Sequence, residues 1–178
     1  NVVSDAPCFC DYKELDQLFP HSKFVYLERS LEHWAPSMQM LLGKMLPELA
    51  PKTGYLNPVL KRVMNQTFAP FSTNNPLSKE HLEACYMRHE QQVMDFFAQR
   101  EDFLRIDISH SNSLQALLRF IGIEPLATNL FPHLNSGKQV DSWKAIKHPN
   151  KINSLSAGIE HRQFLDYQQL GLNRRFRL

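Results

Sequence analysis

The sequence predicts an α/β protein built on a parallel sheet, and three observations carry that expectation. Two short runs suited to strands, 24–27 and 103–108, are each followed by a run with helical periodicity. The stretch between them is itself largely helical in pattern, and parallel strands need helical crossovers of about a dozen residues or more. Finally, a chain of 178 residues with 43% hydrophobic content and no long polar tract is large enough for one domain with a real core.

Taken in order, Ser4-Asp5-Ala6-Pro7 comes first, and Asp5 ahead of Pro7 suits a turn or a helix cap. Cys8 and Cys10 are too close for an ordinary disulfide, and Cys85 falls in a helical run, so three unpaired thiols are expected. Leu15, Leu18 and Phe19 recur at helical spacing until Pro20 ends the run. The apolar residues 24–27 read as a largely buried strand. Arg29 falls at its carboxyl end, the edge at which open α/β sheets collect ligands. Ser30 is placed to cap the following helix, and Ser37 returns to the same side about two turns later. A guanidinium, a hydroxyl and a helix amino end thus form a candidate phosphate site. Pro36 complicates it, because proline beyond the first turn of a helix removes an N–H and costs about 3 kcal/mol. A helix start near Ala35 is the expected remedy, with Ser37 in the first turn.

Met38, Met40, Leu41, Leu42, Met45 and Leu46 continue that helix to Pro47. Residues 47–77 are rich in proline and irregular, with a helical candidate at 57–68, and read as a variable insertion or a lid. Ser78 is expected to start the clearest helix of the chain, on whose apolar face His89 reads as a hydrogen-bonded core residue rather than a catalyst. Strand 103–108 leads into a turn where Ser111 or Ser113 caps a helix closed by Gly122. His110 belongs to that turn, at the surface or facing the ligand edge. Later, Gly137-Lys138 suits either an anion or a polar turn. Val140, Trp143 and Ile146 suggest a short helix and 156–170 a final one, so that 141–178 is a helical extension of the same domain.

Several of these residues fall into a known pattern. Phe19-Pro20-His21-Ser22-Lys23-Phe24, then Arg29, Trp34 and Ser37, resemble the FP-x-x-KF…R-x-x-x-x-W-x-x-S run of bacterial-type sulfotransferases. Tyr86-x-x-His89 with Val93 and Phe97-x-x-Arg100, and Phe131-Pro132-His133-Leu134-Asn135 after Phe120-Ile121-Gly122-Ile123, are similar to later parts of that family. The likeness covers residues 4–40 and 78–138. It implies a P-loop-NTPase-like three-layer fold, a parallel sheet flanked by helices, of which residues 1–140 are a carboxyl-terminal portion. It also implies a PAPS-dependent enzyme that passes a sulfuryl group from 3′-phosphoadenosine 5′-phosphosulfate (PAPS) to a hydroxyl or amine of a small-molecule or glycan acceptor, with no metal. On this resemblance Arg29 and Ser37 hold the 3′-phosphate and Lys138 assists from a late basic loop. Asp5 stands where the cytosolic branch keeps a catalytic histidine, and would act as the base. The stretch 47–77 falls where acceptor pockets differ within the family.

The family's loop for the 5′-phosphosulfate has no counterpart in the sequence. Gly43-Lys44 and Gly137-Lys138 lack the upstream glycine and downstream Ser/Thr of a phosphate loop. Because the chain opens at Asn1 rather than a methionine, the loop is expected upstream. Two other classes stay open: a nucleotide kinase-like phosphotransferase, which an upstream GxxxxGK[ST] would favour, and a non-catalytic binding module on the same fold. The net charge of +2 hides a basic end at Arg174, Arg175 and Arg177 but no basic stripe interleaved with aromatics, so nucleic acid is not an expected partner. No apolar run approaches the ~20 residues needed to span a bilayer, and no signal-peptide pattern is present. Together with unpaired thiols this predicts a cytoplasmic protein.

Overall fold

The computed structural model describes residues 2–50, 52–54, 56, 58–124 and 128–131. Lys138 and the helices expected after it lie outside the described residues. In chain order the elements are α1 (Tyr12–Leu18), β1 (Phe24–Glu28), α2 (Leu31–Met45), a 3-10 turn (Leu46–Leu49), α3 (Pro58–Phe68), α4 (Lys79–Phe96), β2 (Phe103–Asp107) and α5 (Ser113–Ile121). They divide into two compact units. One holds Leu31–Phe96 with the described chain up to Pro20, and the other holds His21–Ser30 with the described residues from Phe97 onward.

The first unit is helical. Helix α2 packs on α4 and on the 3-10 turn, and α3 packs on both of those. Met38, Leu42, Leu49, Val63, Met64, Phe68, Leu82 and Cys85 form its core, so the stretch 47–77 contributes a 3-10 turn, a helix and a share of the buried surface. The start of α2 corrects the reading of Pro36: the helix begins at Leu31 and runs through the proline, leaving Ser37 in the second turn. Burial explains why. Ala35 and Leu42 are fully buried and Met38 nearly so, while Trp34 lies 4.8 Å from the Tyr86 ring and stacks at 6.4 Å on Phe68. Burying a large apolar side chain is worth about 1.5–3 kcal/mol, and several together outweigh one lost N–H. At the start of α4 the amide of His81 donates to Ser78 Oγ at 3.2 Å, the contact expected of a serine cap.

The second unit is a two-stranded parallel sheet with α5 packed on β2. The register pairs Phe24 with Phe103 and Glu28 with Asp107, so the two strands start and stop together. Phe97 stacks on Phe103 at 4.5 Å and lies 4.9 Å from Phe24, which closes the amino end of the sheet with aromatic rings. Arg100 sits 5.0 Å from the Phe97 ring and pairs with Asp102, whose carboxyl it holds below the usual range by hydrogen bonding.

Strand β1 is not the largely buried strand that its apolar run suggests. Its residues alternate between half-buried and exposed, with Val25 39% and Leu27 60% exposed. In parallel register Leu27 shares a face with Ile106, and α5 covers only the β2 side of that face among the described residues. Helix α5 also differs in its start. Asn112 holds the N-cap position without a side-chain cap bond, and Ser113 lies inside the helix, where its hydroxyl donates to the Asp107 carbonyl. Its end follows expectation: Gly122 takes φ 80, its amide bonds to the Arg119 carbonyl at 3.1 Å, and the Ile123 amide bonds to the Leu118 carbonyl at 2.8 Å. That left-handed cap satisfies carbonyls the helix leaves open, in a conformation that glycine adopts without a steric cost.

Candidate functional site

The sheet unit sets the site from its register. Because β1 ends at Glu28 opposite Asp107, Arg29 and Ser30 leave one strand where 108–110 leave the other. All of these belong to the carboxyl edge of a parallel sheet, where α/β proteins bind ligands. Arg29 is exposed there, immediately after the last strand residue. The neighbouring turn is tightly held: Asp107 Oδ1 accepts from the Ser109 amide at 2.8 Å and from the Ser109 hydroxyl at 2.7 Å. The amide of His110 donates to the Asp107 carbonyl at 3.1 Å, and the His110 side chain is exposed. One charged contact here was not legible in the sequence. Arg105 Nε donates to Glu28 Oε2 at 2.7 Å across the two strands. The only signal for it is that Glu28 and Arg105 fall on one face of two strands that could pair in parallel.

Ser37 and Asp5 lie in the helical unit. Ser37 is half-buried in the second turn of α2, beside the buried Met38. Asp5 is exposed at a turn, with φ 68 and its carbonyl accepting from the Cys8 amide at 2.7 Å. Left-handed backbone suits aspartate better than most residues, in keeping with its use as a turn residue. Burial raises the thiol pKa of Cys8 and of Cys10, and the nearby Asp5 charge adds to the effect at Cys8. Both therefore disfavour the thiolate, and Cys8, Cys10 and Cys85 are free cysteines. Among the described residues no group of three or more His, Cys, Asp or Glu side chains is placed to hold a metal, and no helix is long and apolar enough to cross a membrane.

His89 meets aromatic rings, with Phe9 at 6.4 Å and Tyr12 at 6.3 Å, both edge-on. Its burial lowers its pKa below the ordinary 6.5. As pH falls, the unfolded chain therefore takes up the proton before the folded one does. The stability contributed by neutral His89 is present above about pH 6.5 and declines as pH drops through and below that value. Thermal midpoints recorded from about pH 7.5 to 5.5 should fall, and His89→Phe should flatten that slope. An unchanged slope in the variant would assign the acid sensitivity elsewhere.

Comparison with known proteins bears on the whole of this arrangement. A family model described as a sulfotransferase domain matches residues 1–140, a span that includes both strands, Asp5, Arg29, Ser37 and Lys138. No curated protein and no solved structure matches the chain. With most of its length matched, and with an α/β unit whose parallel strands carry Arg29 at their carboxyl edge, the chain belongs to the sulfotransferase domain family.

Proposed function

We propose that the protein transfers a sulfuryl group from PAPS to a hydroxyl or amine of a small-molecule or glycan acceptor, in the cytoplasm. The observation that supports this most directly is Arg29, which leaves the carboxyl end of a parallel strand within the span matched by the sulfotransferase family model. In this reading its guanidinium makes two parallel charge-assisted bonds to the 3′-phosphate, Ser37 adds a neutral one, and Lys138 adds charge. The acceptor oxygen or nitrogen attacks sulfur in line as the bond from sulfur to the bridging oxygen breaks, and adenosine 3′,5′-bisphosphate leaves with the electron pair. Asp5, whose carboxylate is exposed, takes the acceptor's proton. The protein's share of the rate is positioning and charge stabilisation, as in phosphoryl transfer. The stretch 47–77 selects the acceptor.

The test uses the full-length protein with radiosulfur-labelled PAPS and a panel of phenols, sugars and amines. Calorimetric titrations with adenosine 3′,5′-bisphosphate and with magnesium ATP run beside it. Label transfer to at least one acceptor is expected, with the bisphosphate bound at least about tenfold more tightly than ATP. Tighter ATP binding with phosphoryl transfer would identify a kinase-like enzyme instead, and donor binding without transfer a binding module.

A further inference from the structure

The turn between β2 and α5 carries an exposed histidine on a closely bonded backbone. We infer that His110 is a further binding residue for the anionic donor, giving an imidazole N–H to a phosphate from the carboxyl edge of the sheet, with Ser109 as its positioning residue. This inference deepens the function proposed above and rests on it, because it takes that edge as the place where adenosine 3′,5′-bisphosphate binds.

The register ends both strands together, so residues 108–110 emerge beside Arg29 and Ser30, in the same compact unit. The turn is then fixed by contacts that radiate from Asp107. Its carbonyl accepts from the His110 amide at 3.1 Å and from the Ser113 hydroxyl, while its Oδ1 accepts from the Ser109 amide at 2.8 Å and the Ser109 hydroxyl at 2.7 Å. The His110 carbonyl in turn accepts from the Ser113 amide at 3.1 Å. Both backbone polar groups of His110 are therefore bonded inside the turn, yet residues 108–112 are all exposed. A fixed backbone beneath an exposed side chain suits a binding loop on a rigid scaffold, since little freedom remains to be lost when a ligand arrives. Two other histidines are occupied differently. His81 Nε2 meets the Phe68 carbonyl at 2.7 Å, and His89 packs between the rings of Phe9 and Tyr12. Among the described residues the His110 ring has no hydrogen-bond partner. An imidazole keeps at least one N–H donor in either protonation state, so it can bond a phosphate oxygen in both. One such bond at an exposed edge is expected to change affinity by roughly three- to tenfold.

The experiment titrates the full-length protein calorimetrically with adenosine 3′,5′-bisphosphate at a single pH and salt concentration. It compares wild type, His110→Ala, His110→Gln, Ser109→Ala, Ser109→Thr, the double variant Ser109→Ala/His110→Ala, and Arg29→Ala. His110→Ala should weaken binding by roughly three- to tenfold, and His110→Gln, which keeps an N–H donor, should recover part of that. Ser109→Ala should weaken it by less, and Ser109→Thr, which keeps the hydroxyl, should bind as the wild type does. In the double variant Ser109→Ala should add nothing to the loss from His110→Ala, whereas a serine that acted independently of His110 would weaken both backgrounds alike. Both positions are exposed, so thermal midpoints should stay near that of the wild type. Unchanged affinity in His110→Ala would overturn the inference even if transfer slowed, and additive losses or an unaffected Ser109→Ala would overturn the role of Ser109. If Arg29→Ala weakens binding and His110→Ala does not, only this inference falls. If the wild type does not bind the bisphosphate, the donor reading falls and takes the inference with it.

Discussion

Replacing Arg29 with alanine is expected to weaken binding of adenosine 3′,5′-bisphosphate by about ten- to a hundredfold. The size follows from the contact proposed. Hydrogen bonds to a charged group contribute about 1.5–3 kcal/mol, more than a neutral one, and a guanidinium can present two of them to one phosphate. Arg29 is exposed just past the end of β1, and contacts of exposed charged side chains contribute about 0–1 kcal/mol, so its removal should change thermal stability little. Arg29→Lys should recover part of the affinity, since it keeps the charge but not the planar fork. Ser37→Ala removes a neutral donor from α2 and should cost less, about 0.5–1.5 kcal/mol. Calorimetry on the three variants tests the ranking. Equal affinities for wild type and Arg29→Ala would remove Arg29 from the donor site, and a greater loss in Ser37→Ala would reverse the division of roles.

What could be read from the chain alone was what local chemistry decides. Ser78 caps α4 because a serine hydroxyl reaches the amide three residues on, whatever lies around it. Gly122 ends α5 because few other residues adopt its left-handed backbone cheaply. Arg29 was visible as an edge cation because the end of a strand is set by the strand's own residues. The errors share a different origin. Pro36 opposes helix locally, but Trp34, Ala35, Met38 and Leu42 gain more from burial than the missing N–H loses, and no neighbour in sequence reports that gain. The apolar run of β1 does not reveal that α5 packs over β2 and leaves Val25 and Leu27 exposed. Arg105 finds Glu28 at a sequence distance of 77 and Arg62 finds Asp11 at 51, both among several carboxylates of equal local plausibility.

That second pairing should have the largest effect on stability. Asp11 is 2% exposed and stands just before α1, yet its carboxylate does not cap that helix. It accepts instead from both terminal nitrogens of Arg62 on α3, at 2.9 and 2.5 Å, so the start of α1 is tied to the helical unit by a fork of two charged bonds. Removing one partner of such a pair typically costs about 3–5 kcal/mol because the other charge is stranded, a large share of the roughly 5–15 kcal/mol that holds a domain together. The two deletions are not equivalent. Arg62 is 17% exposed and can recover some hydration when Asp11→Ala removes its partner. Asp11 has almost no access to water, so Arg62→Met should destabilise the protein more than Asp11→Ala does. The double variant Asp11→Leu/Arg62→Met removes both charges at once and should recover much of the loss, since replacing a buried ion pair by apolar groups is often neutral or better. Urea denaturation midpoints on the four proteins check the order. A double variant no more stable than the weaker single variant would show that the pair fixes the position of α1 through its geometry, rather than merely cancelling two desolvated charges.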